Sequence, residues 1–242
     1  LKALDGMAPQ RLWSWVHSAG LWLLVLLLGN VLLWGVQQGQ LQHSAWAAVT
    51  LLLSGTLVLL GLAQPALYNA TGRLRSRWPL RSFAQAYLWR AALPLALAVG
   101  LAALVLALCS DGNAHPLPYI PVLNPVDLCV ALALGVCALW RLRLCRSDLS
   151  VPTWLHHGHW SGVQAGIAFI ALNTVWLRAT HHLAGIPWRS DALFQSFLVQ
   201  AGYSILWTLL ALALMVWANR RLTRSAWMAG AALLGLTVIK LF

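Results

Sequence analysis

The sequence predicts an all-α protein built as a polytopic transmembrane helical bundle, and three observations lead to that prediction. First, 60% of the 242 residues are hydrophobic and only 9% are charged, whereas soluble domains carry about 25% charged residues. Second, the apolar residues form long runs, and about 20 apolar residues in a helix cross the hydrocarbon layer of a membrane. Third, the short polar loops between these runs alternate between arginine-rich and nearly arginine-free.

We expect about seven spans in this chain, and we treat residues 1–242 as one transmembrane region. The chain begins at Leu1 and ends at Phe242 inside an apolar run, so we expect it to be a piece of a longer many-span chain. Pro94 predicts a kink in the third span, because proline removes a backbone donor. In chain order, the expected spans cover about 19–36, 45–64, 86–108, 123–140, 160–180, 193–217 and 226–242.

Basic residues are distributed unevenly between the two sets of loops. Only three of the 16 Lys and Arg residues, Arg178, Arg189 and Lys240, fall on one side. Cytoplasmic loops of membrane proteins are enriched in Lys and Arg. We therefore predict a multi-pass protein of the bacterial inner membrane with its N-terminus and its arginine-rich loops in the cytoplasm. The same bias accounts for the net charge of +11, so nucleic acid is not an expected partner. The residues on the basic side are Lys2, Arg11, Arg73, Arg75, Arg77, Arg81, Arg90, Arg141, Arg143, Arg146, Arg220, Arg221 and Arg224.

Polar residues recur at helical spacing in the fifth and sixth expected spans. Thr174, Arg178 and His182 are four residues apart, and His181 lies three residues after Arg178. Residues at these spacings share one face of a helix. An unpaired charge in lipid costs several kcal/mol, so such a face is expected to meet protein or water. The two polar faces are therefore expected to line a cleft that opens outward. The face on the sixth span comprises Ser196, Gln200 and Ser204.

The candidate substrate-binding residues combine these faces with the outer loops. Arg178 and Arg189 are expected to anchor a phosphate or carboxylate, because a guanidinium binds either group through paired hydrogen bonds. His181 and His182 are expected to make polar contacts or to transfer protons. In the alternative interpretation, Arg178 snorkels to lipid phosphates and the polar side chains only join helices. The full candidate set is Arg178, His181, His182, Arg189, Asp127, Asn124, Tyr119 and Gln200.

No residue is assigned a catalytic role, and no cofactor or metal is expected. The sequence contains no GxSxG nucleophile motif. The histidine cluster HHGHW at 156–160 has no regularly spaced Cys or carboxylate around it, so an interfacial turn is favoured over a metal site. The four cysteines form no CxxC pair and are interpreted as small buried side chains. Most of the 15 tryptophans fall near expected helix ends, where an indole suits the membrane boundary.

Four segments of the chain carry a resemblance to a known family. They are PLPYIPVLNPVDL at 116–128, WLRATHHLAGIPW at 176–188, QAGYSILWTLLALALM at 200–215 and AALLGLTVIKLF at 231–242. They resemble the C-terminal region of the bacterial membrane proteins grouped as domain of unknown function 2339, over most of residues 78–242. The resemblance implies a parent chain with many more spans, and it supplies no activity. The positions that it marks are Pro118, Tyr119, Pro121, Asn124, Pro125, Asp127, Arg178, His181, His182 and Lys240.

These observations favour an integral inner-membrane protein that binds or handles an envelope lipid or a glycan-linked anionic substrate at an outward-facing cleft. The sequence does not separate transport, flipping and group transfer, and it does not decide whether the protein is an enzyme. The alternative is a noncatalytic membrane scaffold or a subunit of a larger complex. The expected partners are membrane lipids, other spans of the parent chain and other membrane proteins.

Overall fold

A computed structural model of the chain describes residues 10–69 and 72–241. Within these ranges the regular secondary structure is helical, and no β-strand occurs. Two short 3₁₀ turns, Pro65–Leu67 and Thr153–His156, and one π-helical segment, Ala86–Ala91, accompany the α-helices. The α-helices are α1 (Gln10–Gln38), α2 (Trp46–Leu62), α3 (Leu80–Gln85), α4 (Ala92–Cys109), α5 (Pro125–Cys145), α6 (His159–Ala184), α7 (Ser190–Gln195), α8 (Phe197–Arg221) and α9 (Arg224–Leu241).

Five helical stretches of the described residues are long and apolar enough to cross a membrane. The all-α prediction and the prediction of several membrane spans are thereby confirmed. The helix α2 is apolar but has only 17 residues, and α9, which carries a basic residue near each end, is not among the five. Seven spans therefore stay a prediction, as does the orientation of the N-terminus. The five stretches are Leu12–Gln38, Leu80–Cys109, Pro125–Cys145, His159–Ala184 and Phe197–Arg221.

The third expected span is longer and less regular than its sequence indicates. It runs continuously through α3, the π-helical segment and α4. A kink lies upstream of Pro94, at Phe83, whose φ of −123° and ψ of 23° are not helical, and the π-helical segment follows it. Proline has no N–H and crowds the carbonyl four residues before it, which is that of Arg90. The wider π turn lies where that crowded carbonyl is.

The chain divides into two compact units, and each is described by itself. Unit 1 extends to Thr174, and α2, α4 and α5 form its core. The fully buried indole of Trp140 on α5 donates a hydrogen bond of 3.1 Å to the Leu88 carbonyl. A Cβ at Gly55 of α2 would lie 3.0 Å from Cγ2 of Val99 on α4. Small side chains give membrane helices this close approach, and α4 contributes the buried Ala92, Ala96 and Ala103.

The first helix is attached to this core near its own start. The Arg90 guanidinium donates to Oγ of Ser14 at 2.9 Å, and His17 Nδ1 shares a hydrogen bond of 2.8 Å with the Tyr87 hydroxyl. Both partners belong to the π-helical segment. Residues 11–17, which precede the first expected span at about 19–36, thus belong to one continuous helix, α1, that begins at Gln10.

Unit 2 begins at Val175 and contains the end of α6 together with α7, α8 and α9. The last two helices form an antiparallel hairpin through Leu222, which has a left-handed φ of 52°. A Cβ at Gly230 of α9 would lie 2.9 Å from the Ala211 carbonyl oxygen of α8, so glycine lets the two backbones touch. The Trp176 indole at the end of α6 donates a hydrogen bond of 3.3 Å to the Val199 carbonyl of α8.

Candidate functional site

The most unusual polar side chain of unit 2 is Arg178. It lies in α6, which is long and apolar enough to cross a membrane, and only 1% of its surface is exposed. Two other residues of the expected polar face are also covered: Thr174 is buried and His182 is half-buried. A snorkelling arginine would present its guanidinium to the membrane boundary, whereas protein covers Arg178. An arginine buried inside a membrane-spanning helix is therefore a hypothesis for a functional site.

His181 is held by the turn that ends α6. Its Nδ1 lies 2.6 Å from the Ile186 carbonyl oxygen, and because a carbonyl only accepts, Nδ1 carries the proton and Nε2 is left as an acceptor in the neutral ring. The left-handed Gly185, with φ of 70°, returns the chain toward the ring. The His182 ring packs edge-on at 4.7 Å between centroids, and the Trp188 ring lies at 5.8 Å. Two imidazoles therefore stand side by side one helical turn after Arg178.

Arg189 is neutralised by a near neighbour. Its guanidinium contacts both carboxylate oxygens of Asp191, at 2.6 and 3.3 Å, and this hydrogen-bonded arginine holds the pKa of Asp191 below its usual value. The side chains of both residues are mostly exposed, at 73% and 53%. The pair leaves Arg189 with little net charge for a ligand.

Gln200 is joined to a residue that sequence reasoning left out of the candidate set. The Lys240 ammonium on α9 donates a hydrogen bond of 2.9 Å to the Gln200 carbonyl. It also lies 5.5 Å from the ring centroid of Tyr203 and 5.6 Å from that of Trp207. Gln200 itself donates through its side-chain amide to the Phe194 carbonyl at 2.8 Å. Tyr203 and Trp207 are four residues apart on α8, a spacing that places them on one face of the helix. The sequence does not give the register of α9 against α8, so it does not place Lys240 beside that face.

The other three candidates, Asp127, Asn124 and Tyr119, belong to unit 1. Asn124 is 1% exposed and caps α5: its side-chain oxygen accepts from the Val126 N–H at 2.9 Å, and its amide donates to the Gly112 carbonyl at 2.8 Å. Asp127 is buried in the first turn of α5, where the helix dipole favours a carboxylate. Tyr119 is half-buried in the preceding loop. Both polar ends of Asn124 are therefore engaged by the backbone.

Five of the eight candidates lie in unit 2 and three lie in unit 1, and the two units are described separately. A single cleft that includes both groups stays a prediction. In the part of the chain that the structure describes, no three His, Cys, Asp or Glu side chains form a group suited to a metal ion. In the HHGHW cluster, the rings of His157 and His159 are 6.4 Å apart, at the junction of a 3₁₀ turn and α6. The five candidates of unit 2 are Arg178, His181, His182, Arg189 and Gln200.

Comparison with known proteins gives one family. The family described as "Predicted membrane protein (DUF2339)" matches residues 2–242, so the match covers the expected C-terminal region and also the segment before residue 78. No curated protein and no solved structure matches the chain.

Proposed function

Because the chain belongs to the DUF2339 family of predicted membrane proteins, we propose a function that starts from a multi-pass membrane protein and adds a binding role. The protein lies in the bacterial inner membrane and crosses it about seven times, with its N-terminus in the cytoplasm. Its outward end binds an anionic group of an envelope lipid or of a glycan-linked molecule. The single observation that supports this proposal most is the burial of Arg178 within a candidate span.

The chemistry of unit 2 suits an anionic ligand. A guanidinium offers five donors in a planar fork that matches a phosphate or a carboxylate, and protein around Arg178 lowers the local dielectric, which strengthens such a contact. His181 presents Nε2 one turn away, available to accept or to pass on a proton. Unit 2 also places Lys240 beside Gln200. Unit 2 contains one acidic residue, Asp191, and it pairs with Arg189, so acidic side chains of this unit do not offset the charges of Arg178 and Lys240.

The test replaces Arg178 in the protein. Arg178→Lys keeps the charge and removes the fork, whereas Arg178→Gln removes both, and Arg221→Gln is a matched control at an exposed arginine of the same unit. We expect both Arg178 variants to lose the envelope phenotype of the wild type at normal abundance, with the control unaffected. Unchanged phenotype and unchanged abundance in Arg178→Gln would overturn the proposed binding role.

The proposed topology has its own test. In a background without the four natural cysteines, Asn113→Cys and Arg77→Cys place single thiols at exposed positions in loops at the two ends of unit 1. A membrane-impermeant maleimide is expected to label residue 113 in intact cells and residue 77 only after lysis. The reverse pattern would contradict the orientation, and labelling of both residues in intact cells would contradict the predicted alternation of the loops.

A scaffold without a ligand is the second candidate, and a specific observation favours it. Several polar side chains of unit 2 form hydrogen bonds with backbone carbonyl groups. His181 bonds to the carbonyl of Ile186, Gln200 to that of Phe194, and Lys240 to that of Gln200. Polar groups used in this way stabilise helix ends and helix pairs. If Arg178→Gln lowers the abundance of the protein and the remaining molecules still support the wild-type envelope phenotype, the scaffold is the better description.

A further inference from the structure

We propose that unit 1 carries a second binding site, for a single neutral sugar ring, in an open pocket formed by the α1–α2 loop and the α4–α5 loop. This site shares no residue with the candidate set of unit 2 and does not depend on the function proposed for Arg178. The pocket has a volume of about 260 Å³. Its lining residues are Gln40, Leu41, His43, Ser44, Asn113 and His115.

Hydrogen bonds between the two loops build the pocket. The Ala45 N–H donates to the Asn113 carbonyl at 2.8 Å, and the Trp46 indole donates to the His115 carbonyl at 3.2 Å. Within the first loop, the Ser44 hydroxyl donates to the Leu41 carbonyl at 2.6 Å. These bonds fix the backbone on both sides of the pocket, so its polar side chains project from a preformed frame.

Several polar groups at the pocket are left for a ligand. The side chains of Gln40, His43 and His115 make no hydrogen bond to any residue that the structure describes, and all three are exposed. The side-chain oxygen of Asn113 accepts a hydrogen bond of 3.2 Å from the His115 N–H, which leaves the side-chain N–H₂ of Asn113 as a donor. Gln40 has a left-handed φ of 54°. Strained non-glycine residues of this kind cluster at ligand sites.

The chemistry of these groups points to a neutral, hydroxyl-rich ligand. None of the six lining residues is Lys, Arg, Asp or Glu, so the pocket offers no fixed charge for a phosphate or a carboxylate. Planar amides and imidazoles pair with hydroxyl groups as donor and acceptor together, and Leu41 adds an apolar surface for the C–H face of a ring. The pocket, at about 260 Å³, has room for one six-membered sugar ring.

The test measures sugar binding to the chain in nanodiscs by saturation-transfer NMR, with methyl glucoside and N-acetylglucosamine as neutral probes and glucuronate as the anionic probe. His43→Ala and His115→Ala remove two lining imidazoles. Gln42→Ala, an exposed neighbour outside the lining, and His156→Ala, an exposed histidine in another loop, are the matched controls. Because the substituted side chains are exposed, all variants are expected to fold, which elution volume and thermal melting verify.

We expect binding of at least one neutral probe, with affinity about fivefold weaker in each lining variant, the effect of one lost neutral hydrogen bond, and unchanged affinity in both controls. No transfer to either neutral probe would overturn the proposal, as would equal transfer in all variants. Stronger transfer to glucuronate than to the neutral probes would contradict the neutral class. Zinc binding that is lost in both histidine variants, without sugar binding, would replace the sugar site by a metal pair.

Discussion

The cap of α5 provides a sharp test of whether Asn124 serves the fold or a ligand. Asn124→Ala removes two buried hydrogen bonds, one from the Val126 N–H at 2.9 Å and one to the Gly112 carbonyl at 2.8 Å. Loss of an N-cap costs about 0.5–2 kcal/mol, and a buried carbonyl that loses its donor costs about 1–3 kcal/mol. We therefore expect the free energy of unfolding to fall by about 1.5–5 kcal/mol.

A second substitution separates the two bonds. Asn124→Ser keeps a side-chain oxygen that caps as well as asparagine does, and it removes the amide that reaches Gly112. The serine variant is therefore expected to be more stable than the alanine variant by about 1 kcal/mol. Gln42→Ala is the control: this glutamine is exposed and lies in the loop between α1 and α2, and its loss is expected to change stability by less than about 0.5 kcal/mol.

The assay is unfolding of the purified chain in mixed micelles with increasing denaturing detergent, followed by circular dichroism, with the three variants measured beside the wild type. The reasoning is refuted if Asn124→Ala unfolds with the same free energy as the wild type. If that variant also loses the envelope phenotype, Asn124 contacts a ligand, as the sequence indicates, and the cap contributes little.

Three further predictions concern unit 2. A Cβ at Gly202 would overlap the Trp176 indole, so Gly202→Ala is expected to lower the free energy of unfolding by about 1–3 kcal/mol, measured in the same micelles. A double-mutant cycle between Lys240→Met and Tyr203→Leu is expected to give a coupling energy of about 0.5–1 kcal/mol, because the Lys240 ammonium lies over the Tyr203 ring. Additive effects of the two substitutions would contradict this contact. Arg189→Gln is expected to raise the pKa of Asp191, followed by NMR titration of its carboxyl carbon. Because the pKa of Asp191 is depressed in the folded chain, the pair stabilises the fold above the usual aspartate pKa and loses that effect as the pH falls through the depressed value.

The sequence predicts the helical class well because hydropathy and length are local properties. It predicts helix boundaries less well: the first span is expected to begin near residue 19, yet α1 is one helix from Gln10. Pro94 predicts a disturbed helix, and the irregular turn that its missing N–H explains is the π-helical segment upstream of it. A proline signals a lost hydrogen bond, whereas neighbouring helices decide how the backbone accommodates that loss.

The candidate site was only partly accessible from the sequence. The burial of Arg178 follows from a helical face that can be read by counting residues. Asn124 followed by Pro125 also predicts the start of a helix, since asparagine is a favoured N-cap and proline suits the first helical position. The sequence analysis nevertheless places Asn124 among the candidate binding residues. The contact of Lys240 with Gln200 depends on the register of two helices, which neither hydropathy nor spacing specifies.

The π-helical segment at Ala86–Ala91 bears on how relatives of this chain can differ in length. In a regular membrane helix, one inserted or deleted residue rotates everything beyond it by about 100° and turns buried side chains toward lipid. A π turn already contains one residue more than the α-helical turn it replaces, so deleting a residue there restores regular winding and leaves the rest of the span in phase. Relatives that lack one residue within Ala86–Ala91 are therefore expected to keep the Ala92, Ala96 and Ala103 face in place.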